Sequence, residues 1–187
     1  MPPAVSDRPS RVEARGILLR EFTPDDSADL LAAFTDEEIA RWNPGPAGPE
    51  AATVFMAGRN DWSNGDHASW AVADASDRLV GSVSVHQIDR EQADAEVGYW
   101  IAPWARRNGD GTRAVRAASA FAFGRLGLHR LYLYHAVENA GSCAVAAAAG
   151  FVHEGTLRES FKYGDGAYHS EHLHGLLASD LAGASTL

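Results

Sequence analysis

Hydrophobic positions along the chain switch several times between the spacing of strands and the spacing of helices. An apolar run at 16–22 predicts a first strand, and leucine, phenylalanine and isoleucine side chains follow it at helical spacing. Thr23 and Pro24 stand where a helix cap and a first helical residue are expected. A proline- and glycine-rich stretch at 43–49 predicts a loop, and a second helix is expected over 50–62.

The rest of the chain continues with further strands and two more helices. A glycine-containing turn opens a helix predicted over 109–126, and an alanine-rich helix over 142–149 is expected to stop at Gly150. Strand patterns lie at 68–73, 79–87, 95–102, 130–135, 151–160 and 168–177. These patterns predict a single mixed α/β (α+β) domain, in which a mostly antiparallel sheet of about seven strands is flanked by about four helices.

The domain boundaries follow from where these patterns begin and end. We expect a flexible N-terminal arm over 1–13, one domain over 14–180 and a short C-terminal tail over 181–187. A chain of 187 residues is long enough for one domain with a sizeable buried core. No internal repeat or linker divides the central part of the sequence.

The charge of the chain narrows the classes of partner. The formal net charge is −9, so we expect no nucleic-acid partner, because binding to phosphates needs clustered Lys and Arg. No apolar run approaches the roughly 20 residues of a membrane helix, and the first residues lack the apolar stretch of a signal peptide. The sequence therefore predicts a cytoplasmic protein with no membrane partner.

The segment at 100–112 carries the clearest chemical signal. It predicts a strand, a turn containing Gly109 and Gly111, and then an amphipathic helix. Glycines allow successive backbone N–H groups to face an anion, and a helix N-terminus adds partial positive charge. Arg106 and Arg107 stand beside this turn, which suits a diphosphate group. An ordinary strand-to-helix turn is the alternative, and the segment lacks the Gly-Lys-Ser/Thr of a P-loop.

The spacing Arg106-x-x-Gly109-x-Gly111 resembles the acyl-CoA pyrophosphate motif of the GNAT N-acetyltransferases. The opening of the chain resembles the RimJ/RimL-like branch, which acts on the N-termini of ribosomal proteins. Residues 96–101 also resemble the fourth strand of the superfamily, and residues 139–142 and 150–155 resemble its motif B. The sequence is therefore identified as a member of this superfamily from about Ala14 to Asp180.

This resemblance implies a particular site. The sheet would splay between its fourth and fifth strands, and the pantetheine arm of acetyl-CoA, the expected co-substrate, would enter the gap. No metal is expected. Phe34 and Trp42 would help to wall the pocket of the amine substrate. The positions that the resemblance assigns to the co-substrate are Ile101, Ala102, Arg106, Arg107, Asn108, Gly109, Gly111, Thr112, Asn139 and Ser142.

Acetyl transfer needs a base for the amine and a proton for the leaving thiolate. Glu96, on the strand beside the co-substrate, is the preferred base and would act through water, although a purely structural carboxylate is the alternative. Ser142 is the candidate for orienting and reprotonating the thiol, and it can also cap the alanine-rich helix. Asn139 is expected to order the site rather than to transfer a proton.

Two positions depart from the superfamily pattern. Asp110 places a carboxylate inside the phosphate loop, where it would oppose a diphosphate unless it faces solvent or neighbouring arginines offset it. In the last strand, Ser170 occupies the position where this branch often has an acidic residue, and Glu171 follows it. Both departures bear on substrate assignment more than on co-substrate binding.

The cysteine and the histidines suggest other chemistry at first sight. Cys143 beside Ser142 invites a covalent acyl-enzyme, but a packed small residue at a helix start is preferred. In the run 169–174, strand alternation places His172 and His174 on one face and sends Glu171 to the other. A metal ion would need a third ligand from elsewhere, so packing of these histidines is preferred.

These observations predict an acyl-CoA-dependent N-acyltransferase that acts by direct transfer in a ternary complex. The acceptor is expected to be a primary amine, either a protein N-terminus or a small molecule. A non-catalytic acyl-CoA sensor and a transferase that uses a larger donor such as succinyl-CoA are the alternatives. A homodimer is also compatible with the expected strand edges.

Overall fold

The computed structural model describes residues 11–184 of the chain. Within this range eight strands form one sheet in the order β1-β2-β3-β4-β5-β6-β8-β7. The strands are β1 Val12–Ala14, β2 Ile17–Arg20, β3 His67–Asp74, β4 Leu79–Asp89, β5 Asp94–Ile101, β6 Arg130–Ala136, β7 Val152–Lys162 and β8 Tyr168–Leu177. The helices are α1 Ser27–Phe34, α2 Glu37–Trp42, α3 Pro49–Asn60, α4 Asp110–Gly124, α5 Ala140–Ala149 and α6 Ala178–Ala184.

The predicted class, a mixed and mostly antiparallel α/β domain, is confirmed. Strands β1 to β5 form an antiparallel meander, and β6, β8 and β7 pair antiparallel beyond it. The pair β5–β6 is parallel, and α4 makes the crossover between these two strands. Since a parallel connection needs such a crossover, the helix is held against the sheet, where it packs on β4 and β5.

The splay in the sheet lies where the resemblance predicts it. Pairing between β5 and β6 runs only from Asp94↔Arg130 to Glu96↔Tyr132. Beyond Glu96 the rest of β5 makes no ladder with β6, so the two strands diverge toward the loop that precedes α4. This divergence leaves an opening in the middle of the sheet, lined by both strands.

Apolar side chains pack on both faces of the sheet. One cluster joins the sheet to α4 and includes Trp62 and Trp70, whose ring centroids lie 4.9 Å apart. The second cluster joins the sheet to α1 and α3 and includes Leu30 and Trp100. None of the helices within 11–184 is long and apolar enough to cross a membrane.

Several boundaries differ from the predicted ones. The first predicted helix is divided into a short 3-10 turn, α1 and α2, because the Asp36 side chain accepts a hydrogen bond from the Ile39 N–H and starts a new helix. Val12 and Glu13, expected in the arm, pair with β2 in β1. Likewise, α6 extends past Asp180 into the expected tail. Residues 1–10 and 185–187 of those two predicted segments lie outside the described residues.

Candidate active site

The loop before α4 has the backbone of an anion site. Arg107 and Gly109 both have positive φ, 66° and 78°, and Gly109 immediately precedes the first residue of α4. The first four N–H groups of a helix have no acceptor inside it, so those at the start of α4 are available to a ligand. The residues that carry these N–H groups line a cavity of about 580 Å³ between this loop, α2 and α5.

Most residues predicted to bind the co-substrate line this cavity. Ala102 does not, because it is fully buried and its N–H donates to the Val80 carbonyl oxygen at 2.9 Å. Asn108 is exposed on the loop and does not line the cavity either. Those that do are Ile101, Arg106, Arg107, Gly109, Gly111, Thr112, Asn139 and Ser142.

Two charged side chains of the loop, those of Arg106 and Asp110, are paired with neighbouring groups. The Arg106 guanidinium lies 2.6 Å from an Asp36 carboxylate oxygen and 3.0 Å from one of Glu38, so it joins the loop to α2. Asp110 is 7% exposed and faces Arg113 at 2.5 Å rather than solvent. Arg113 thus offsets the carboxylate that the sequence places in the loop. Two carboxylates hold the side chain of Arg106, which remains a predicted contact of the diphosphate.

A second cavity, of about 770 Å³, lies on the other side of the sheet opening. Three carboxylates line it, those of Asp66, Glu96 on β5 and Glu171 on β8, against one guanidinium, that of Arg59. Glu171 is 7% exposed and accepts hydrogen bonds from Tyr163 Oη at 2.8 Å and Ser160 Oγ at 2.7 Å. Burial and this hydrogen bond to Glu171 raise the pKa of Tyr163, so the phenol stays protonated as a donor. The cavity is therefore acidic and suits a cationic or amine ligand.

Glu96 has features of both roles that the sequence left open, a catalytic base and a structural carboxylate. Its carboxylate accepts a hydrogen bond from Gln87 Nε2 at 2.8 Å and lies 3.7 Å from His86 Nε2. Burial, and next the negative charge of Glu171, raise the pKa of Glu96 to about 7. Burial, and next the charge of Arg59, lower the pKa of His86 to about 4, so the imidazole is neutral beside Glu96. Glu96 is thus structurally anchored and also titrates near neutral pH.

The two cavities meet at one place. Tyr99 Oη donates a hydrogen bond of 3.2 Å to Ser142 Oγ. Ser142 is held there because the Asn139 side chain accepts a hydrogen bond from the Ser142 N–H at 3.0 Å and caps α5. The residues that line both cavities are Trp42, Asn43, Tyr99, Trp100, Asn139 and Ser142. A ligand on the loop side can therefore reach a ligand in the acidic cavity beside this hydroxyl pair.

Comparison with known proteins shows the family to which the chain belongs. The family described as "Acetyltransferase (GNAT) domain" matches residues 17–152, well over half of the chain. The chain belongs to the GNAT acetyltransferase family. The predicted enzyme class, an N-acetyltransferase, and the predicted single GNAT domain fold are thereby confirmed. The similarities below agree with the predicted RimJ/RimL-like branch.

Relatives of this acetyltransferase act on different amines according to their names. It is 31% identical over 176 residues to "Putative ribosomal N-acetyltransferase YdaF" of Bacillus subtilis (strain 168), covering 89% of this chain and 94% of YdaF. It is 35% identical over 92 residues to the spermidine N(1)-acetyltransferase of Vibrio cholerae, covering 49% of this chain and 53% of that protein. The structure of Mycobacterium smegmatis RimJ in complex with CoA-disulfide is similar, with a TM-score of 0.81, 23% identity and coverage of 99% of this chain and 98% of RimJ.

The two aromatic residues predicted to bind substrate, Phe34 and Trp42, lie in different surroundings in the structure. Trp42 lines both cavities, and its ring packs edge-on against Tyr163 and His169. Phe34 lines neither cavity, since its ring packs against Trp100 at 5.2 Å between the centroids, in the core between α1 and the sheet. Helical spacing placed Phe34 on the buried face of α1 but could not say which buried surface it meets.

Sequence reasoning missed two side chains of this site. Tyr99 was read only as part of the fourth strand, and its contact with Ser142 joins residues 43 positions apart in the chain. The sequence shows Glu171 as the acidic residue next to Ser170, and strand alternation places it on the face opposite His172 and His174. The structure places the Glu171 carboxylate in the same cavity as that of Glu96.

Proposed function

We propose that this GNAT enzyme transfers an acetyl group from acetyl-CoA to a primary amine by direct attack in a ternary complex. The observation that carries the proposal is the meeting of the two cavities at Tyr99 and Ser142. One cavity has the N–H groups of a helix start, which suit a diphosphate, and the other has three carboxylates, which suit an amine. The reacting groups would meet in the opening of the sheet.

On the donor side, backbone groups would hold the diphosphate. The residues that carry these N–H groups, from Gly109 to Thr112, line the cavity, and Arg107 is exposed beside them with no carboxylate partner shown for its guanidinium among the described residues. The pantetheine arm would then run along the unpaired end of β5 at Ile101. RimJ from M. smegmatis, in its complex with CoA-disulfide, has this fold.

The proposed reaction includes two proton transfers, one to Glu96 and one from Ser142, which Tyr99 assists. The amine nitrogen bonds to the thioester carbon, and the carbon–sulfur bond breaks. Glu96 takes the proton that the amine loses, directly or through one water, because its pKa of about 7 leaves a useful fraction of carboxylate at neutral pH. Ser142 gives a proton to the departing thiolate and regains one from Tyr99 through their hydrogen bond. Exchange with solvent then returns a proton to Tyr99 and removes the one on Glu96.

The acceptor best matched to Glu96 is a protein N-terminus. An α-amino group has a pKa of about 8, whereas the amine of a lysine or a polyamine has a pKa above about 10. A base with a pKa near 7 removes a proton far more readily from the former. Similarity to YdaF over 89% of the chain points to the same substrate class.

A polyamine is the second candidate. Glu171 lines the same cavity as Glu96 and can hold a second ammonium group while Glu96 takes the proton of the reacting one. The V. cholerae spermidine N(1)-acetyltransferase matches about half of this chain. A polyamine would explain why Glu171 is buried and held by two donors, a geometry that an N-terminus does not require.

The experiment is a CoA-release assay with a panel of amines. It uses peptides with free N-termini, the same peptides with blocked N-termini and an internal lysine, spermidine, and amino sugars, each with acetyl-CoA and with succinyl-CoA. Turnover of free N-termini alone supports the first candidate, and turnover of spermidine alone supports the second. Binding of acetyl-CoA without turnover of any amine from either donor would refute catalysis and favour an acyl-CoA sensor.

The catalytic assignment needs its own comparison. Glu96→Gln is measured beside Glu91→Gln, an exposed acid in the turn before β5. We expect Glu96→Gln to lower kcat by roughly 100-fold, in the range of lost general-base catalysis, and Glu91→Gln to leave kcat unchanged. Equal kcat values in wild type and Glu96→Gln would remove Glu96 from the mechanism.

A further inference from the structure

Three histidines and the cysteine converge beside the acidic cavity, which His135 also lines. His135 lies on β6, His172 and His174 lie on β8, and Cys143 lies on α5. One ligand atom of each, a ring nitrogen or the sulfur, falls within 4.8 Å of all the others. His135 and His174 are each 3% exposed, and Cys143 and His172 are half-buried.

The fold brings these residues together by strand register. His135 and His172 are direct cross-strand partners in the β6–β8 ladder, and His174 is two residues further along β8, on the same face. Helix α5 packs over β6 and β7 and sets Cys143 above them. The sequence indicated the His172–His174 pair, and tertiary structure supplies the further ligands that the pair lacks.

Hydrogen bonding within the cluster is incomplete. His135 Nδ1 donates to the Ala136 carbonyl oxygen at 2.8 Å, which leaves the lone pair on Nε2. That Nε2 lies 3.1 Å from His174 Nε2. The Nδ1 atoms of His172 and His174 are buried and have no hydrogen-bond partner among the described residues. A buried imidazole nitrogen without a partner carries a free-energy penalty, which a bound ion could relieve at His172 but not at His174, whose Nε2 is the atom that faces His135.

We propose that His135, Cys143, His172 and His174 form a binding site for a divalent metal ion, with Zn²⁺ as the preferred ion. Imidazole and thiolate are the ligands that Zn²⁺ prefers. Two nitrogens on one tetrahedral Zn²⁺ lie about 3.3 Å apart, close to the 3.1 Å between the His135 and His174 nitrogens. The Nδ1–H of His135, held by a carbonyl, is the outer hydrogen bond that orients metal-binding histidines.

The site would be structural. Four protein ligands leave no open position for a water or a substrate, which is the pattern of structural zinc. The ion would join α5 to β6 and β8, and α5 carries Ser142 next to the ligand Cys143. Bound metal would therefore hold Ser142 in register with Tyr99 across the sheet opening, without taking part in acetyl transfer.

The test measures metal binding by untagged protein. The full chain is stripped with a chelator, then titrated with Zn²⁺ against a competing dye and with Co²⁺ while the absorption spectrum is recorded. We expect one equivalent of Zn²⁺, a rise in Tm on its addition, and the thiolate-to-cobalt charge-transfer band that a cysteine ligand produces. Failure of wild type to bind Zn²⁺ more tightly than micromolar would overturn the proposal.

Variants separate this site from nonspecific binding. Cys143→Ser is expected to abolish the charge-transfer band, and His172→Ala to weaken Zn²⁺ binding at least as much as the roughly 10- to 100-fold that loss of an outer partner costs. His129→Ala removes an exposed histidine outside the cluster and is expected to bind as wild type does. Circular dichroism of the stripped variants confirms that each is folded. Wild-type affinity in both Cys143→Ser and His172→Ala would refute the site.

Discussion

The Tyr99 hydroxyl donates a hydrogen bond of 3.2 Å to Ser142 Oγ across the opening of the sheet. Tyr99 lies on β5, past the point where its ladder with β6 ends, and Ser142 lies on α5 beyond that gap. The bond therefore connects the two halves of the molecule at the one place where the donor and acceptor cavities meet. Burial raises the pKa of Tyr99 to about 12, so the phenol remains a proton donor at neutral pH.

Removing either hydroxyl of this pair is expected to slow acetyl transfer. If Tyr99 resupplies the proton that Ser142 gives to the thiolate, Tyr99→Phe and Ser142→Ala each lower kcat by roughly 10- to 100-fold. The double variant is expected to lose little more than either single variant, because the two groups act as a unit. Steady-state kinetics measure this, with the exposed Tyr168→Phe as control. Fully additive losses would show that the two hydroxyls act independently.

The pH dependence of kcat/KM is expected to report Glu96. A base must be ionised to act, so activity rises with pH through the Glu96 pKa of about 7. Burial causes most of this raised pKa, and the charge of Glu171 adds to it. Glu171→Gln therefore shifts the rising limb to lower pH, since removal of a like charge eases ionisation of Glu96. The amine titrates equally with both enzymes, so an unmoved or raised limb would contradict the assignment.

Glu96 is also expected to destabilise the folded protein at high pH. Its pKa is about 7 in the folded state against an ordinary value of 4.5, so the stability it contributes is present below pH 4.5 and is lost as pH rises through 7. Glu96→Gln should then raise the free energy of unfolding at pH 8 by roughly 1–3 kcal/mol relative to wild type, and by less at pH 5.5. Urea unfolding at both pH values measures this, with Glu91→Gln as the surface control.

The loop before α4 is expected to tolerate no side chain at Gly109. Gly109→Ala forces alanine to a φ of 78° and places its Cβ 3.3 Å from Arg113 Nη1. Gly16→Ala carries a similar backbone penalty at a φ of 81° with open space around its Cβ. We expect comparable losses of stability but weaker acetyl-CoA binding only in Gly109→Ala, by roughly tenfold or more. Calorimetric titration of both variants decides whether this loop holds the diphosphate.

A buried ion pair stabilises the start of the helical layer. Arg20 on β2 binds both carboxylate oxygens of Asp26, at 2.7 and 3.0 Å, and Asp26 is 4% exposed. Asp26→Asn leaves a buried guanidinium short of its partner, which is expected to lower the free energy of unfolding by roughly 3 kcal/mol. Asp25→Asn, at the exposed neighbouring position, is the control. Arg20 Nε also donates to an Asp77 carboxylate oxygen at 2.7 Å. Equal unfolding midpoints in urea would show that Asp77 alone can satisfy Arg20.

The sequence predicted those parts of the site that depend on neighbours in the chain. The order of strand, glycine turn and helix at 100–112 depends only on neighbouring residues. The pattern and the resemblance to the superfamily could therefore predict the anion loop and the start of α4. The ion pairs of Arg106 could not be predicted in this way, because Asp36 and Glu38 come from a helix some 70 residues earlier in the chain. Asp110 is similar, since its burial could not be read from its position in the loop.

The sequence by itself determined the family, the order of strands and helices, and the faces of β8, because periodicity and motif spacing are properties of consecutive residues. Only the tertiary structure decided which side chains share a space. It brings Tyr99 into hydrogen-bonding contact with Ser142 and places Glu171 in the same cavity as Glu96. It also packs Phe34 in the core. His135 and Cys143 lie close to His172 and His174 for the same reason. Those outcomes depend on the register of distant strands and the packing of helices on them, which local pattern does not encode.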